Sequence, residues 1–297
     1  MAEQVDQIIS KMTGGADADK QNAATKGNDG GQLMYCDAKS QQELNDFVDD
    51  IKPKLVALVG FANYGKSTFI GALYQLLIEN LSYKGYVFVD SETYVGFERR
   101  VFLRRVNEED ISDTKRNILK ENDILHLKLR SDKGTLHQVL VSDKAGETYG
   151  KYISSDEEIG RDIVLENADL VVLFVDAEAD SKSLAEHNLI MEKYESLLSR
   201  LKTQKKLNDE TDCVVVLTKA DRVTTAERKK KLEDRREQLC KKFEEVLGVK
   251  PVEVYEVNSK ALEDTALNNV FERIITPKPQ VEGPKEIDWV KMEIEKR

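Results

Sequence analysis

Apolar runs with polar flanks divide residues 53–276 into alternating strands and helices. Strands are predicted at 54–59, 136–141, 169–177, 212–217 and 252–257. Helices are predicted at 67–79, 182–205 and 226–247. Alternation of this kind is typical of a parallel sheet covered by helices on both faces. We therefore expect a three-layer α/β fold around a mainly parallel central sheet.

The first predicted strand runs into a glycine-containing loop that is followed by a helix. Residues 60–68 read GFANYGKST, which fits the phosphate-loop pattern G-x-x-x-x-G-K-[ST]. Glycines let the backbone turn so that successive N–H groups converge on nucleotide phosphates. Lys66 is expected to reach the β- and γ-phosphates, and the Ser67 hydroxyl to bind Mg²⁺. Nucleotide-binding positions are thus predicted at Gly60, Asn63, Tyr64, Gly65, Lys66, Ser67 and Thr68.

The alternative is a loop that matches this pattern by chance. The buried strand before the loop and the helix after it disfavour that alternative, because they would place an anion at a helix N-terminus.

A second motif follows the apolar run at 212–217. Thr218, Lys219 and Asp221 fit the pattern [NT]-K-x-D, whose aspartate accepts hydrogen bonds from N1–H and the exocyclic amine of guanine. Adenine does not supply this pair of donors, and a buried carboxylate without partners is costly, so one aspartate can separate the two purines. Lys219 is expected to lay its aliphatic stem over the base. Asp221 is the predicted specificity residue for GTP and GDP.

With these motifs in this order, the chain resembles P-loop GTPases of the translation-factor-related (TRAFAC) class, which contains the Ras-like and Era-like proteins. Residues 143–146 (DKAG) are similar to the D-x-x-G element of that class. The resemblance implies that Asp143 holds Mg²⁺ through water and that the Gly146 N–H senses the γ-phosphate. Asn258, Ser259 and Lys260 resemble the S-A-K loop, whose backbone N–H contacts guanine O6.

The resemblance covers residues 53–276. Asn63 is similar to the asparagine of the N-x-G-K-S form found in Era-like members. More loosely, the long helix after the phosphate loop and residues 94–100 resemble double-GTPase-like proteins encoded in bacterial conflict or defence gene clusters.

Three regions of the chain are predicted. Residues 1–52 form an N-terminal extension that we expect to lack order for the most part, with short helices at 2–11 and 40–51. Residues 53–276 form the GTPase domain, which leaves no room for a second core. An insertion is expected around 81–123, with an extra strand at 85–90 and a polar helix or loop at 107–123. Residues 277–297 form a C-terminal tail.

The charge of the chain bears on its class of partner, and its cysteine content bears on the compartment. The chain has 45 basic and 55 acidic residues, a formal net charge of −10, and no basic stripe, which argues against nucleic acid as a partner. No apolar run has the length of a membrane span. The three cysteines, Cys36, Cys213 and Cys240, are scattered and lack metal-ligand spacing, so we expect a reducing, cytoplasmic setting.

Two departures from the family pattern bear on catalysis. Ras-like proteins orient the attacking water with a glutamine directly after the D-x-x-G glycine, whereas this chain has Glu147. A carboxylate near the γ-phosphate is repelled and cannot donate a hydrogen bond as an amide does. Ala62 stands where Ras-like proteins carry a glycine, which would crowd an arginine supplied by a partner. Slow GTP hydrolysis is therefore expected, with Lys66, Gly146, Glu147 and Thr93 as the candidate catalytic residues.

The switch I residue that coordinates Mg²⁺ in this class is assigned to Thr93, with Ser91 in reserve. The predicted metal ligands are then Ser67, Thr93 and Asp143. Arginines 99, 100, 104 and 105 follow closely. One of them could act as an arginine in cis, although we expect most of the cluster to face solvent.

These observations favour a Mg²⁺-dependent GTP-binding switch that hydrolyses GTP slowly and presents its nucleotide state to a protein effector or activator, with self-association as one route to activation. The alternative is a scaffold that holds GTP or GDP without hydrolysing it. A P-loop kinase for a small molecule ranks last, because it would leave the T-K-x-D motif unexplained.

Overall fold

The apolar runs form one seven-stranded sheet in the computed structural model, which describes residues 36–41, 43, 52–105, 123–207, 211–248 and 252–278. The strands are β1 (Lys54–Val59), β2 (Tyr86–Asp90), β3 (Ile124–Ser131), β4 (Leu136–Ser142), β5 (Leu170–Asp176), β6 (Asp212–Thr218) and β7 (Glu253–Glu256). Their order across the sheet is β2-β3-β4-β1-β5-β6-β7. The adjacent strands in the series β4-β1-β5-β6-β7 are parallel, while β3 pairs with β4 and β2 pairs with β3 in antiparallel fashion. The predicted α/β fold with a mainly parallel sheet is confirmed.

Helices connect the strands and cover both faces of the sheet. They are α1 (Lys66–Glu79), α2 (Tyr94–Arg105), α3 (Gly146–Tyr152), α4 (Asp156–Gly160), α5 (Ile163–Glu166), α6 (Ala177–Asp180), α7 (Leu184–Thr203), α8 (Ala226–Leu247) and α9 (Thr265–Ile275). No helix in the described part of the chain combines the length and apolar character needed to cross a membrane.

Local sequence explains where the long helices begin and end. The side chains of Ser183, Thr225 and Asp264 cap α7, α8 and α9 by accepting hydrogen bonds from backbone N–H groups of the first turn. Gly248 ends α8 in the left-handed conformation, with φ of 70°. Capping residues of this kind are readable from sequence, and the predicted helix at 226–247 matches α8 residue for residue.

The alternation of side chains along the central strands separates two cores. In β1, Leu55, Ala57 and Val59 pack on one face of the sheet, against α3, α7 and α8. Val56 and Leu58 pack on the opposite face, against α1, α2 and α9. Buried on both faces, β1 reads as a continuous apolar run.

The short segment 36–40, here called the N-terminal strap, lies on α2 and on the start of β3. Lys39 and Ile124 exchange backbone hydrogen bonds of 3.0 and 2.8 Å. Asp37 forms an ion pair of 2.8 Å with Arg99, and Ala38 is buried against Gly96. Residues just upstream of the predicted domain start at 53 therefore pack with the domain.

Other predicted elements fare differently. The extra strand expected at 85–90 is confirmed as β2. The helix at 2–11, most of the helix at 40–51, the polar segment at 107–122 and the tail beyond 278 lie outside the described residues. The domain boundaries stay predictions.

The packing of α1 onto the sheet generates a stability prediction. Phe69 is fully buried, with its ring centroid 5.0 Å from that of Phe174 on β5 and 4.6 Å from that of Phe271 on α9. We expect Phe69→Ala to lower the free energy of unfolding by about 3–5 kcal/mol, because it removes the contact that joins three elements. Urea denaturation measures the change.

Leu81→Ala is the control, since the Leu81 side chain is 95% exposed and its loss should cost less than about 0.5 kcal/mol. Equal destabilisation by the two substitutions would contradict this account of the core.

Candidate functional site

The phosphate loop joins β1 to α1, and its two glycines serve different purposes. Gly65 adopts φ of 82° and the neighbouring Asn63 adopts φ of 65°, both in the left-handed region. Gly60 does not have a positive φ. Instead, a Cβ at Gly60 would lie 2.9 Å from Cβ of Phe174, so the loop can leave β1 only if this residue lacks a side chain. The sequence argument expected both glycines to serve backbone turning, and for Gly60 this was wrong.

The ammonium group of Lys66 is folded into the loop. Its Nζ donates hydrogen bonds to the carbonyl oxygens of Gly60 at 2.6 Å and Phe61 at 3.3 Å, and it lies 5.7 Å from the ring centroid of Tyr149. Burial lowers the pKa of Lys66 from its usual 10.5 to about 8, while nearby Asp143 and Glu147 act in the opposite direction. A buried ammonium with a depressed pKa is a group whose charge an added anion would stabilise.

The first turn of α1 has the character of an anion site. Gly65 stands at the N-cap and offers no side-chain acceptor to the backbone N–H groups of the first turn, which holds no acidic residue. Ser67 and Thr68 lie in this turn and are partly exposed. Together with the positive end of the helix dipole, these N–H groups favour a phosphate.

The D-x-x-G segment packs directly on the phosphate loop. A Cβ at Gly146 would lie 2.1 Å from the backbone nitrogen of Ala62, so only glycine fits there. Glu147 follows in the first turn of α3 with an exposed side chain. The structure thus brings Gly146 and Glu147 beside Lys66, as the motif order predicts.

Asp143 lies at the end of β4, and its two carboxylate oxygens have different surroundings. Oδ2 accepts a hydrogen bond of 2.8 Å from Nε of Arg100 on α2. Oδ1 is buried and has no hydrogen-bond partner among the described residues. We expected most of the arginine cluster to face solvent, but the Arg100 side chain is only 1% exposed. The sequence offers no signal for this contact beyond the presence of the arginine.

A second buried charge network anchors the next residue of the same loop. Nζ of Lys144 lies 3.3 Å from Asp162 and 3.6 Å from Asp123. Asp162 also accepts a hydrogen bond of 2.7 Å from the Tyr152 hydroxyl and caps α5. Burial raises the pKa of Asp123, and Lys144 opposes that shift. The loop that follows β4 is therefore held by ion pairs to distant parts of the chain.

The T-K-x-D motif contacts the phosphate loop from the end of β6. Oγ1 of Thr218 lies 2.9 Å from the carbonyl oxygen of Tyr64, to which it can donate a hydrogen bond. Lys219 has φ of 58°, and its Nζ lies 2.7 Å from Oδ2 of Asp176. Asp221 lies in a short 3₁₀ turn with an exposed carboxylate. Asp176 was not among the residues predicted from the sequence, although an acidic residue at the end of a buried apolar run was the available signal.

The loop after β7 is shaped by its own asparagine. Oδ1 of Asn258 accepts a hydrogen bond of 3.0 Å from the Lys260 backbone N–H, while the Ser259 side chain is buried. This loop follows a strand that is parallel to β6, so both loops leave the same edge of the sheet.

Thr93 has a different environment from the other candidates. Its side chain is fully buried, and its Oγ1 accepts a hydrogen bond of 2.8 Å from the backbone N–H of His126 on β3. Its backbone N–H donates to Ser91 Oγ at 3.0 Å. Ser91 Oγ in turn donates a hydrogen bond of 2.6 Å to the carbonyl oxygen of His126. Both switch I candidates are thus bound to β3, and their role in binding metal stays a prediction.

Oxygen atoms are the available metal ligands at this site. Among the described residues, no three His, Cys, Asp or Glu side chains cluster in a way that could hold a metal ion. Asp143 Oδ1 and the Ser67 hydroxyl nevertheless suit Mg²⁺, which takes one or two protein oxygens and completes its shell with phosphates and water.

The buried Lys66 generates a prediction about stability and pH. We expect Lys66→Met to raise the free energy of unfolding of the ligand-free protein by about 1–3 kcal/mol at pH 7, because it removes a charge that burial penalises. The pKa of Lys66 in the folded protein, about 8, lies below the usual 10.5. The free energy of unfolding of the wild type should therefore rise as the pH increases from 8 to 10.5, and its difference from that of Lys66→Met should shrink. Urea denaturation across pH 7–10.5 checks this.

The matched control is Lys241→Met on the exposed face of α8, for which no comparable gain is expected. A Lys66→Met protein less stable than wild type at pH 7 would contradict the prediction.

Comparison with known proteins agrees with these motifs. A family model described as Double-GTPase 2 matches residues 54–275, which is most of the 297-residue chain. No match was found among curated proteins. The matched region runs from the first strand through the last helix and contains all four motifs, so the resemblance to P-loop GTPases is confirmed. The chain belongs to the Double-GTPase 2 family.

Proposed function

We propose that this protein is a Mg²⁺-dependent GTP-binding switch that hydrolyses GTP to GDP slowly and presents its nucleotide state to a protein partner. Family membership supports guanine-nucleotide binding and hydrolysis. The structural observation that supports a single nucleotide site is the 2.9 Å contact of Thr218 Oγ1 with the Tyr64 carbonyl oxygen. It joins the base motif to the phosphate loop, so one nucleotide can engage both.

The phosphate end would be held by positive charge and backbone donors. Lys66 would exchange its loop carbonyls for the β- and γ-phosphate oxygens, whose negative charge would stabilise an ammonium that burial now penalises. Ser67 and Asp143 would hold Mg²⁺, which neutralises developing phosphate charge when bound. Gly146 lies against the phosphate loop and would present its N–H to the γ-phosphate.

The base end would be read by a carboxylate and framed by two loops. Asp221 would accept hydrogen bonds from guanine, and Lys219 would cover the ring with its aliphatic stem. Asp176 sets the direction of Lys219 through their 2.7 Å ion pair. The loop of Asn258, Ser259 and Lys260 would supply backbone N–H to guanine O6.

Slow turnover follows from the residue after Gly146. Glu147 is exposed in the first turn of α3, beside Lys66, and its carboxylate can accept but not donate a hydrogen bond to an attacking water. Unassisted rates of Ras-like GTPases fall to about 10⁻⁴ s⁻¹, and a supplied arginine adds roughly 10³- to 10⁵-fold. The same residue supports the second candidate function, a nucleotide-bound scaffold that does not hydrolyse GTP.

The partner and the compartment belong to the same proposal. A protein effector or activator would read the surface around α2 and α3, where the nucleotide-contacting loops lie. The three cysteines are free thiols, which suits a reducing cytoplasm.

Single-turnover hydrolysis of Mg²⁺-GTP by the purified chain tests this function. We expect phosphate release from GTP and none from ATP, at a rate near the slow end of the family range. Measurements at low and high protein concentration test self-association, because activation by a second copy makes the rate rise with concentration. Tight GTP binding without phosphate release at either concentration would favour the scaffold.

Asp221→Asn tests the base assignment. Replacing the acceptor by an amide removes the match to guanine and creates one to xanthine, so affinity should move from GTP toward xanthosine triphosphate by at least about 100-fold. Competition binding against labelled GDP measures the shift. Glu227→Gln, at an exposed position in the first turn of α8, is the control and should bind GTP as wild type does. Retained guanine preference in Asp221→Asn would place the base pocket elsewhere.

A further inference from the structure

Arg100 forms a hydrogen bond with only one of the two carboxylate oxygens of Asp143. Nε of Arg100 donates to Oδ2 at 2.8 Å, and both side chains are almost fully buried. Oδ1 is also buried, yet it has no hydrogen-bond partner among the described residues. A buried carboxylate oxygen without a partner costs free energy, and a cation or water bound at Oδ1 would offset that cost.

Packing fixes the position of the guanidinium group. A second donor of Arg100, Nη1, binds the carbonyl oxygen of Gly96 one turn earlier in α2, at 2.9 Å. Gly71 of α1 lets the two helices approach, since a Cβ there would lie 3.0 Å from the Arg100 carbonyl oxygen. Phe97 stacks on Tyr74 with 4.7 Å between ring centroids. Arg100 is therefore held in one geometry by the α1–α2 contact.

The other nearby cations are engaged elsewhere. Lys144 lies against Asp123 and Asp162, and Lys66 donates to the carbonyl oxygens of its own loop. Arg100 is thus the cation that orients Asp143 within the described structure.

We propose that Arg100 is a positioning residue for the magnesium site: by binding Oδ2 of Asp143, it turns Oδ1 toward the bound Mg²⁺ and its water. This inference rests on the proposed function. It differs from an arginine in cis that contacts the γ-phosphate, because the Arg100 guanidinium is buried and already bonded to Asp143 and Gly96. Groups that orient metal-binding side chains typically change metal affinity by 10- to 100-fold when removed.

The test is the Mg²⁺ dependence of nucleotide retention. Dissociation of fluorescently labelled GDP is followed in EDTA and across a series of Mg²⁺ concentrations, for wild type, Arg100→Gln, Arg100→Lys and the control Arg99→Gln. We expect Arg100→Gln to raise the Mg²⁺ concentration for half-maximal retention at least 10-fold, with the EDTA rate unchanged. Arg100→Lys should give a smaller rise. Arg99→Gln, which removes only the partly exposed ion pair with Asp37, should stay within 2-fold.

A double mutant keeps the test independent of fold stability. If Arg100 acts through Asp143, adding Arg100→Gln to Asp143→Asn should change the Mg²⁺ requirement no further than Asp143→Asn alone. Additive effects would overturn the proposal. Circular dichroism confirms that each variant is folded before it is compared, and Arg100→Lys replaces Arg100→Gln if the latter is not.

Four other results are decisive. An Arg100→Gln protein with an unchanged or lower Mg²⁺ requirement overturns the positioning role. A loss of turnover at saturating Mg²⁺ with an unchanged requirement also overturns it, since Arg100 would then act on the transition state. Wild type that binds GDP without any response to Mg²⁺ overturns this inference and the Mg²⁺ dependence in the proposed function, but leaves guanine-nucleotide binding standing. Wild type that binds no GDP overturns the proposed function as a whole.

Discussion

The parallel hydrogen-bond ladders on either side of β1 decide where the candidate residues lie. Val56 pairs with Val141 of β4 on one side and with Leu170 of β5 on the other. Because parallel strands all end at one edge of a sheet, the loops after β1, β4, β5, β6 and β7 emerge together. Those loops carry the phosphate loop, the D-x-x-G segment, Asp176, the T-K-x-D motif and residues 258–260. A shift in either ladder would separate motifs that are far apart in sequence.

At this edge, the D-x-x-G segment is held by close backbone contact and by buried ion pairs. Gly146 touches the phosphate loop so closely that no side chain fits, and Lys144 is held by two aspartates from other segments. Fixed contacts on both sides leave the D-x-x-G segment little freedom to move by itself. In the proposed switch, a nucleotide-dependent change would then be carried by the helices and loops that border it, of which α2 is one.

Elements that depend on a local sequence pattern could be predicted from the sequence, whereas contacts that depend on long-range pairing could not. The strand at 54–59 and α8 were predicted at their observed bounds, because apolar runs and capping residues are local signals. Arg100 belongs to a cluster of four arginines that was expected mostly to face solvent, since charged side chains are rarely fully buried unless paired. Its partner, Asp143, directly follows β4 and lies 43 positions away, and no periodicity in the sequence indicates this contact. The requirement for glycine at position 60 likewise comes from a neighbouring strand rather than from the turn itself.

The N-terminal strap starts a path of direct contacts that runs from residues 36–40 through α2 to Asp143. Residues 36–40 are bonded to β3 and to α2, and α2 carries the arginine that holds Asp143. Trimming the chain to residue 53 would cut that path and uncover the buried surface at Gly96, so the strap is best kept in any shortened version of the protein.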